Sequence, residues 1–309
     1  MLGRFWNMAK KSVSAWIDDY APSMGAAISY YTVFSIAPLL LIVIAVAGFV
    51  WGREAVQGEI VAQLSGLIGE EGAQGVQALI ESANQPAKGL VASLVSGVFL
   101  LIGATTVFAE LQSALDRIWQ VPAQAKVSGI WLTLRARLLS LGFILALGFL
   151  LAVSLVLSAG LAAFGVWASS ALPQSELILQ VANTAISLCL STLLFALIFK
   201  LMPRARIAWK DVLTGAAVTA VLFEVGKVLI GLYIGKSSVT SSFAAAGSLV
   251  VLLIWVYYSA QIFLLGAEFT WVYAHDQGSR SSGDPAPGPV PTVPSRSAQG
   301  TDALPQPRS

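Results

Sequence analysis

The sequence predicts an all-α integral membrane protein with six transmembrane helices, short interfacial helices and a disordered C-terminal tail. The composition points there first: of 309 residues, 56% are hydrophobic and 11% charged, which suits a surface that faces lipid rather than water. The chain also holds six predominantly apolar runs, at approximately 27–50, 90–109, 138–163, 177–199, 212–234 and 245–270, each near the roughly 20 residues that cross a hydrocarbon core. The connections between these runs are alternately rich and poor in Lys and Arg, as expected of a chain threaded back and forth through one membrane. The organisation that follows is a cytoplasmic amphipathic segment over 1–25, a transmembrane domain over 26–275 and a tail over 276–309.

In the N-terminal segment Trp6, Ala9, Val13, Trp16, Ile17 and Tyr20 recur at helical spacing, with Lys10 and Lys11 off that stripe, a pattern for a helix lying on the cytoplasmic leaflet. The first apolar run is too long for the core of a secretory signal. It carries Tyr30, Tyr31 and Pro38, and Trp51 follows where an outer aromatic belt would place it, so it is expected to stay in the mature protein. The loop from about 52 to 88 shows short helical patterns around Ile60 to Ile68 and Val76 to Ala83, and is expected to form a small cap outside the membrane.

In the second run Ser96, Gly103 and Glu110 repeat every seven residues with Thr106 beside them; the spacing fits a packing seam or a polar pathway. No charge falls between Arg137 and Glu176, a stretch long enough for two spans, but Pro173 and the serines before it favour one. The fourth run holds the single Cys189. The fifth and sixth carry the ionisable residues discussed below. From Asp276 the chain turns to Pro, Ser, Gly and Gln, with Pro285, Pro287, Pro289, Pro291 and Pro294 closely spaced, a composition that cannot bury a core.

Basic residues in the short connections set the orientation. Arg4, Lys10, Lys11, Arg117, Lys126, Arg135, Arg137, Lys200, Arg204, Arg206 and Lys210 lie on one side; Arg53, Lys88 and Lys236 lie on the other. Eleven against three places both termini in the cytoplasm. The localisation expected is therefore an inner membrane, crossed several times.

One Cys and one His, His275, exclude an intrachain disulfide and leave too few ligands or bases for a zinc hydrolase or a Ser-His-Asp enzyme. No Gly-rich phosphate loop occurs. The net charge of +2 is explained by the topology-setting lysines and arginines and gives no reason to invoke nucleic acid. No catalytic residue, metal or cofactor is expected.

The informative residues are ionisable or polar ones at membrane depth, each costly unless buried among helices, paired or hydrated. Glu224 and Lys227 sit near the middle of the fifth run at i and i+3, close enough to interact. Glu224 shares its face with Ala217, Gly231 and Gly235, small residues of the kind that pack on another helix, so it is expected to point into the bundle. In the sixth run Tyr257, Gln261 and Glu268 fall within about 40° of one another at 100° per residue, and Gln261 lies at nearly the depth of Glu224. With Glu110 of the second run these form the candidate intramembrane polar site. The alternative is an internal ion pair that only fixes packing. Arg135, Arg137, Arg204 and Arg206 are candidates for lipid headgroup contacts, or simply interface anchors.

Five segments, AISYYTVFSIAPLLLI (27–42), AELQSALDRIW (109–119), MPRARIAWKDVLTGA (202–216), FEVGKVLIGLYI (223–234) and GSLVVLLIWVYYSAQIFLLGAEFTWVYA (247–274), resemble the YihY/virulence factor BrkB family. Together they span most of the chain from about 20 to 275. The resemblance implies a six-helix bacterial inner-membrane protein whose biochemical activity is not well defined. It also implies that the older name ribonuclease BN, carried by some members, is a misassignment. Ser242 and Phe243 stand where members often have Tyr-Gly, and the C-terminal tail lies outside the resemblance.

Two classes of function remain. One is a transporter or flippase-like protein for an amphiphilic or lipid-related envelope component, with Glu224, Lys227 and Gln261 lining its path. The other is a membrane scaffold or envelope-assembly factor in which the same charges hold the bundle together. The expected partners are membrane lipids, with envelope proteins and a second copy of the chain left open. A ribonuclease would need Glu110, Asp116 and Asp211 to converge and hold divalent metal.

Overall fold

The computed structural model describes residues 2–83, 90–122, 142, 175–236 and 247–281. The third predicted span apart from residue 142, Arg135, Arg137 and the chain after residue 281 lie outside these residues. The described chain is helical throughout, in seven elements.

Helix α1 (Leu2–Asp18) is amphipathic as its stripe requires, with Trp6, Val13 and Ile17 exposed while Met8 and Ser12 are buried. Tyr20 adopts φ 57°, a left-handed turn rare outside glycine. A proline in the first turn then opens α2 (Ala21–Trp51), where its missing N–H leaves no helical bond unmade.

At Gly52, φ 87° turns the chain back into α3 (Arg53–Ala83). A second left-handed glycine, Gly69 at φ 78°, breaks α3 in two between the two helical patterns of the sequence. Val76 and Ile80 are buried in one cluster with Val33 and Ile44 of α2, so the second half of α3 is folded back along that helix.

Helix α4 (Leu90–Ile118) packs against α2, with Gly103 placed where any Cβ would crowd the ring of Pro38. Helices α5 (Ser175–Leu201), α6 (Trp209–Lys236) and α7 (Gly247–Asp276) complete the described bundle. Four helices, α2, α5, α6 and α7, contain stretches long and apolar enough to cross a membrane. Helix α4 occupies the second predicted run without being among those four.

The main core joins Leu115 of α4, Phe195 and Phe199 of α5, Ala216 and Ala220 of α6, and Phe263, Leu264 and Ala267 of α7. Phe199 and Phe263 lie 5.2 Å apart between centroids. The α6–α7 contact depends on small residues: a Cβ at Gly215 would collide with Thr270, one at Gly266 with Thr219, and one at Gly226 with Ile262. Close backbone approach of this kind supplies the packing that apolar attraction cannot supply between helices in lipid. Thr219 and Thr270 return their hydroxyls to the carbonyls of Gly215 and Gly266, each at 2.7 Å, so neither leaves an unmade hydrogen bond in that seam.

Candidate functional site

The polar residues singled out in the sequence separate into two places. The first is between α5 and α6. Lys227 donates to Glu224 Oε1 at 2.9 Å and lies 2.8 Å from its Oε2, and Ser187 of α5 donates to Glu224 at 3.4 Å. The pair is half-buried. Ala217 and Gly231, on the same face, are exposed among the described residues, whereas the glycines that pack on α7 are Gly215 and Gly226. Glu224 therefore does not follow the small-residue contact into the α6–α7 seam, because the tight contact is made by a different stripe of the helix.

The second place is between α2 and α7. Gln261 lies against Gly25, where a Cβ would strike its amide nitrogen. Both ends of that amide are buried without a hydrogen-bond partner, so Gln261 faces α2 rather than Glu224. Tyr257 is 39% exposed, and Glu110 is half-buried on α4.

Seven residues beyond Gln261, Glu268 is 1% exposed. It faces Asp19, one of the two residues between α1 and α2, whose carboxylate accepts a hydrogen bond from it. Burial pushes the Asp19 carboxyl above its ordinary range; Glu268's hydrogen bond and the charge of Arg117 pull it back, and Asp18 adds to the rise. The two carboxyls border a cavity of about 540 Å³ also lined by Lys11, Asp18, Trp271 and His275. Lys11 is paired with Asp276 at 2.6 Å. Asp19 was not singled out in the sequence, where its only signal is an Asp-Asp step just before an apolar run.

At the same end of the bundle Asp116 is tied to the chain between α5 and α6, and Asp211 to the turn after α7. Asp116 accepts the Arg204 backbone N–H at 2.7 Å, with the guanidinium 3.5 Å away. Burial raises the Asp116 carboxyl, and both Arg204 groups oppose that rise. Asp211 is buried and accepts the Ser279 hydroxyl at 2.6 Å. Arg204 thus has an acidic partner, and the Arg206 carbonyl accepts from Arg280 at 3.0 Å. Asp116 and Asp211 have separate partners, and among the described residues no group of three metal-ligating side chains could hold an ion.

Apolar helices with large exposed side chains such as Phe34, Val228 and Leu229, packed through small-residue seams, define a helical membrane protein. Residues 12–290 match the family described as Virulence factor BrkB, and the chain belongs to that family. It is 29% identical to a UPF0761 membrane protein of Pseudomonas aeruginosa (strain LESB58) over 82% of this chain and 59% of that protein. A UPF0761 membrane protein of Ralstonia nicotianae is 26% identical, over 81% of this chain and 55% of the relative. One from Vibrio parahaemolyticus is 27% identical, over 79% and 74% respectively. The chain thus spans about three fifths of the length of the Pseudomonas relative it matches. No solved structure matches it.

Proposed function

We propose that this protein is a six-helix bacterial inner-membrane protein, both termini cytoplasmic, that moves an amphiphilic or lipid-related envelope component. The observation that carries the reading is the Glu224–Lys227 pair. It sits near the middle of the 28-residue α6, and its two side chains are still 31% and 27% exposed. Opposite charges kept accessible at membrane depth are costly unless a substrate, water or another helix meets them. Exchange of partners as a substrate's charged group enters would let Lys227 release Glu224, while the glycines of α6 give the helix room to shift. Arg204, Arg206, Arg135 and Arg137 would hold lipid headgroups at the inner leaflet, and the Pro-rich tail would remain disordered. Lipids are the partners of this reading; nucleic acid and cofactors have no part in it.

The mutual satisfaction of the pair at 2.8 Å favours a second reading, a scaffold or assembly factor in which the two charges only fix α5 against α6. Proteoliposomes with headgroup-labelled lipids of several classes separate the two. Glu224→Gln and Lys227→Met, singly and together, should abolish selective lipid movement in protein that remains folded. Movement that survives every folded version removes the pair from the mechanism, and no movement by the unaltered protein in any lipid class leaves the scaffold.

A further inference from the structure

We propose that Asp19 and Glu268 form a proton-binding site at the mouth of a polar seam that runs between α2 and α7 into the membrane. The site is distinct from the Glu224–Lys227 pair and stands whether or not the protein moves lipid.

Three observations meet there. Glu268 is 1% exposed, borders the cavity, and keeps its Oε1 without a hydrogen-bond partner. Its carboxyl faces that of the half-buried Asp19, and two carboxyls in contact, one of them fully buried, are not both ionised, so the pair holds one proton. Two helical turns further along α7, about 10 Å at 1.5 Å per residue, Gln261 buries both ends of an unpartnered amide against Gly25. One turn deeper in α2, Ser29 donates to the Leu253 carbonyl of α7 at 3.0 Å. Buried polar atoms left unmatched cost about 1–3 kcal/mol each. Glu268 and Gln261, two such residues on one face of α7, therefore carry polar groups from the cavity into the α2–α7 contact.

The charges around the pair come from every element packed on it. Helix α1 contributes Lys11, neutralised by Asp276 of α7, and Asp18. Helix α4 contributes Arg117, whose guanidinium lies 5.6 Å from the Tyr20 ring and acts on Asp19. Helix α7 adds His275, whose Nδ1 is 2.8 Å from the Trp271 carbonyl. Arg280, after α7, stacks over Trp119 at 5.3 Å. Lys11 and Arg280 are thus engaged with other partners, leaving Arg117 as the cation that acts on the acids. A single proton shared by Asp19 and Glu268 removes one of the negative charges that Arg117 leaves uncompensated.

The test is infrared difference spectroscopy of the purified full chain in lipid nanodiscs, titrated with pH and read at the C=O stretch of a protonated carboxyl. The unaltered protein should show one such band at pH 7, far above the range near 4 in which ordinary carboxyls ionise. Glu268→Gln should delete it, Asp19→Asn should shift it, and His275→Asn should leave it. No band at pH 7 in the unaltered protein would overturn the site without recourse to any variant. So would a band unchanged in both Glu268→Gln and Asp19→Asn. Because the readout needs no substrate, it succeeds or fails independently of any lipid movement.

Discussion

Asp19 belongs to no helix, yet its environment is built by residues far away in the chain: Glu268 on α7 and Arg117 on α4. Its folded-state value lies above the ordinary 3.8, so the native state binds this proton more tightly than the unfolded chain does. The stability this contributes is complete below the unfolded value and is lost as pH rises through the folded one. Asp116 is shifted in the same direction and adds to the same slope. Thermal melting in detergent at a series of pH values should therefore show stability falling as pH rises above the ordinary carboxylate range. Asp19→Asn should flatten that fall in part and the double change with Asp116→Asn further. A slope identical in the unaltered and doubly changed proteins would mean that neither carboxyl is linked to folding. None of this was visible in the sequence, because an acid next to an apolar run is usually a solvated flank, and only the docking of α1 and α7 half-buries this one against Glu268.

At the scale of the element, helical periodicity tells which residues share a face but not which neighbour the face meets. The two patterns on either side of Gly69 and the apolar runs of α2, α5, α6 and α7 were legible because hydropathy and glycine placement act within one segment. Gln261 and Glu268 were legible as one face of α7 for the same reason. That Gln261 meets Gly25 instead of Glu224 was not, since it depends on α2 lying between α4 and α7. Likewise two stripes of small residues on α6 compete for its packing, and Thr270 opposite Gly215 and Ile262 opposite Gly226 decide between them. Gly215→Val should thus separate α6 from α7: its branches would enter the space of Thr270, and overpacking of this kind typically costs about 1–3 kcal/mol. Gly58→Ala in α3 has nothing within 4 Å of the new Cβ and should raise stability by up to about 1 kcal/mol through helix propensity. Melting temperatures of the two variants in the same detergent check the contrast. Equal tolerance at both positions would mean the α6–α7 seam is looser than its geometry.

For the whole molecule, the asymmetry of basic residues and the packing make one joint demand. Helix α1 lies on the end of α7 through Phe5 and Phe269, 6.2 Å apart, and through the Lys11–Asp276 pair, so the two ends of the described chain share one side of the bundle. Helix α3 packs at the opposite ends of α2 and α7, near Val33, Ile44 and Leu252. Among the described residues, Arg4, Lys10, Lys11, Arg117, Lys200, Arg204, Arg206 and Lys210 belong to the first side and Arg53 and Lys236 to the second, so that first side should be cytoplasmic. Cys189 is the single thiol, so a Cys189→Ser background makes the orientation measurable with one introduced cysteine at a time. In intact cells a membrane-impermeant maleimide should label Glu59→Cys of α3 and leave Ser14→Cys and Ser281→Cys unlabelled until the membrane is opened. The reverse pattern would invert the molecule and put the Asp19–Glu268 cavity on the outer face. Labelling of Ser14→Cys and Ser281→Cys from opposite sides would contradict the α1–α7 contact itself. Orientation matters to mechanism as well as to topology: a proton-binding pair on the cytoplasmic face fills from the cell interior, whereas the same pair outside fills from the more acidic side of an energised membrane.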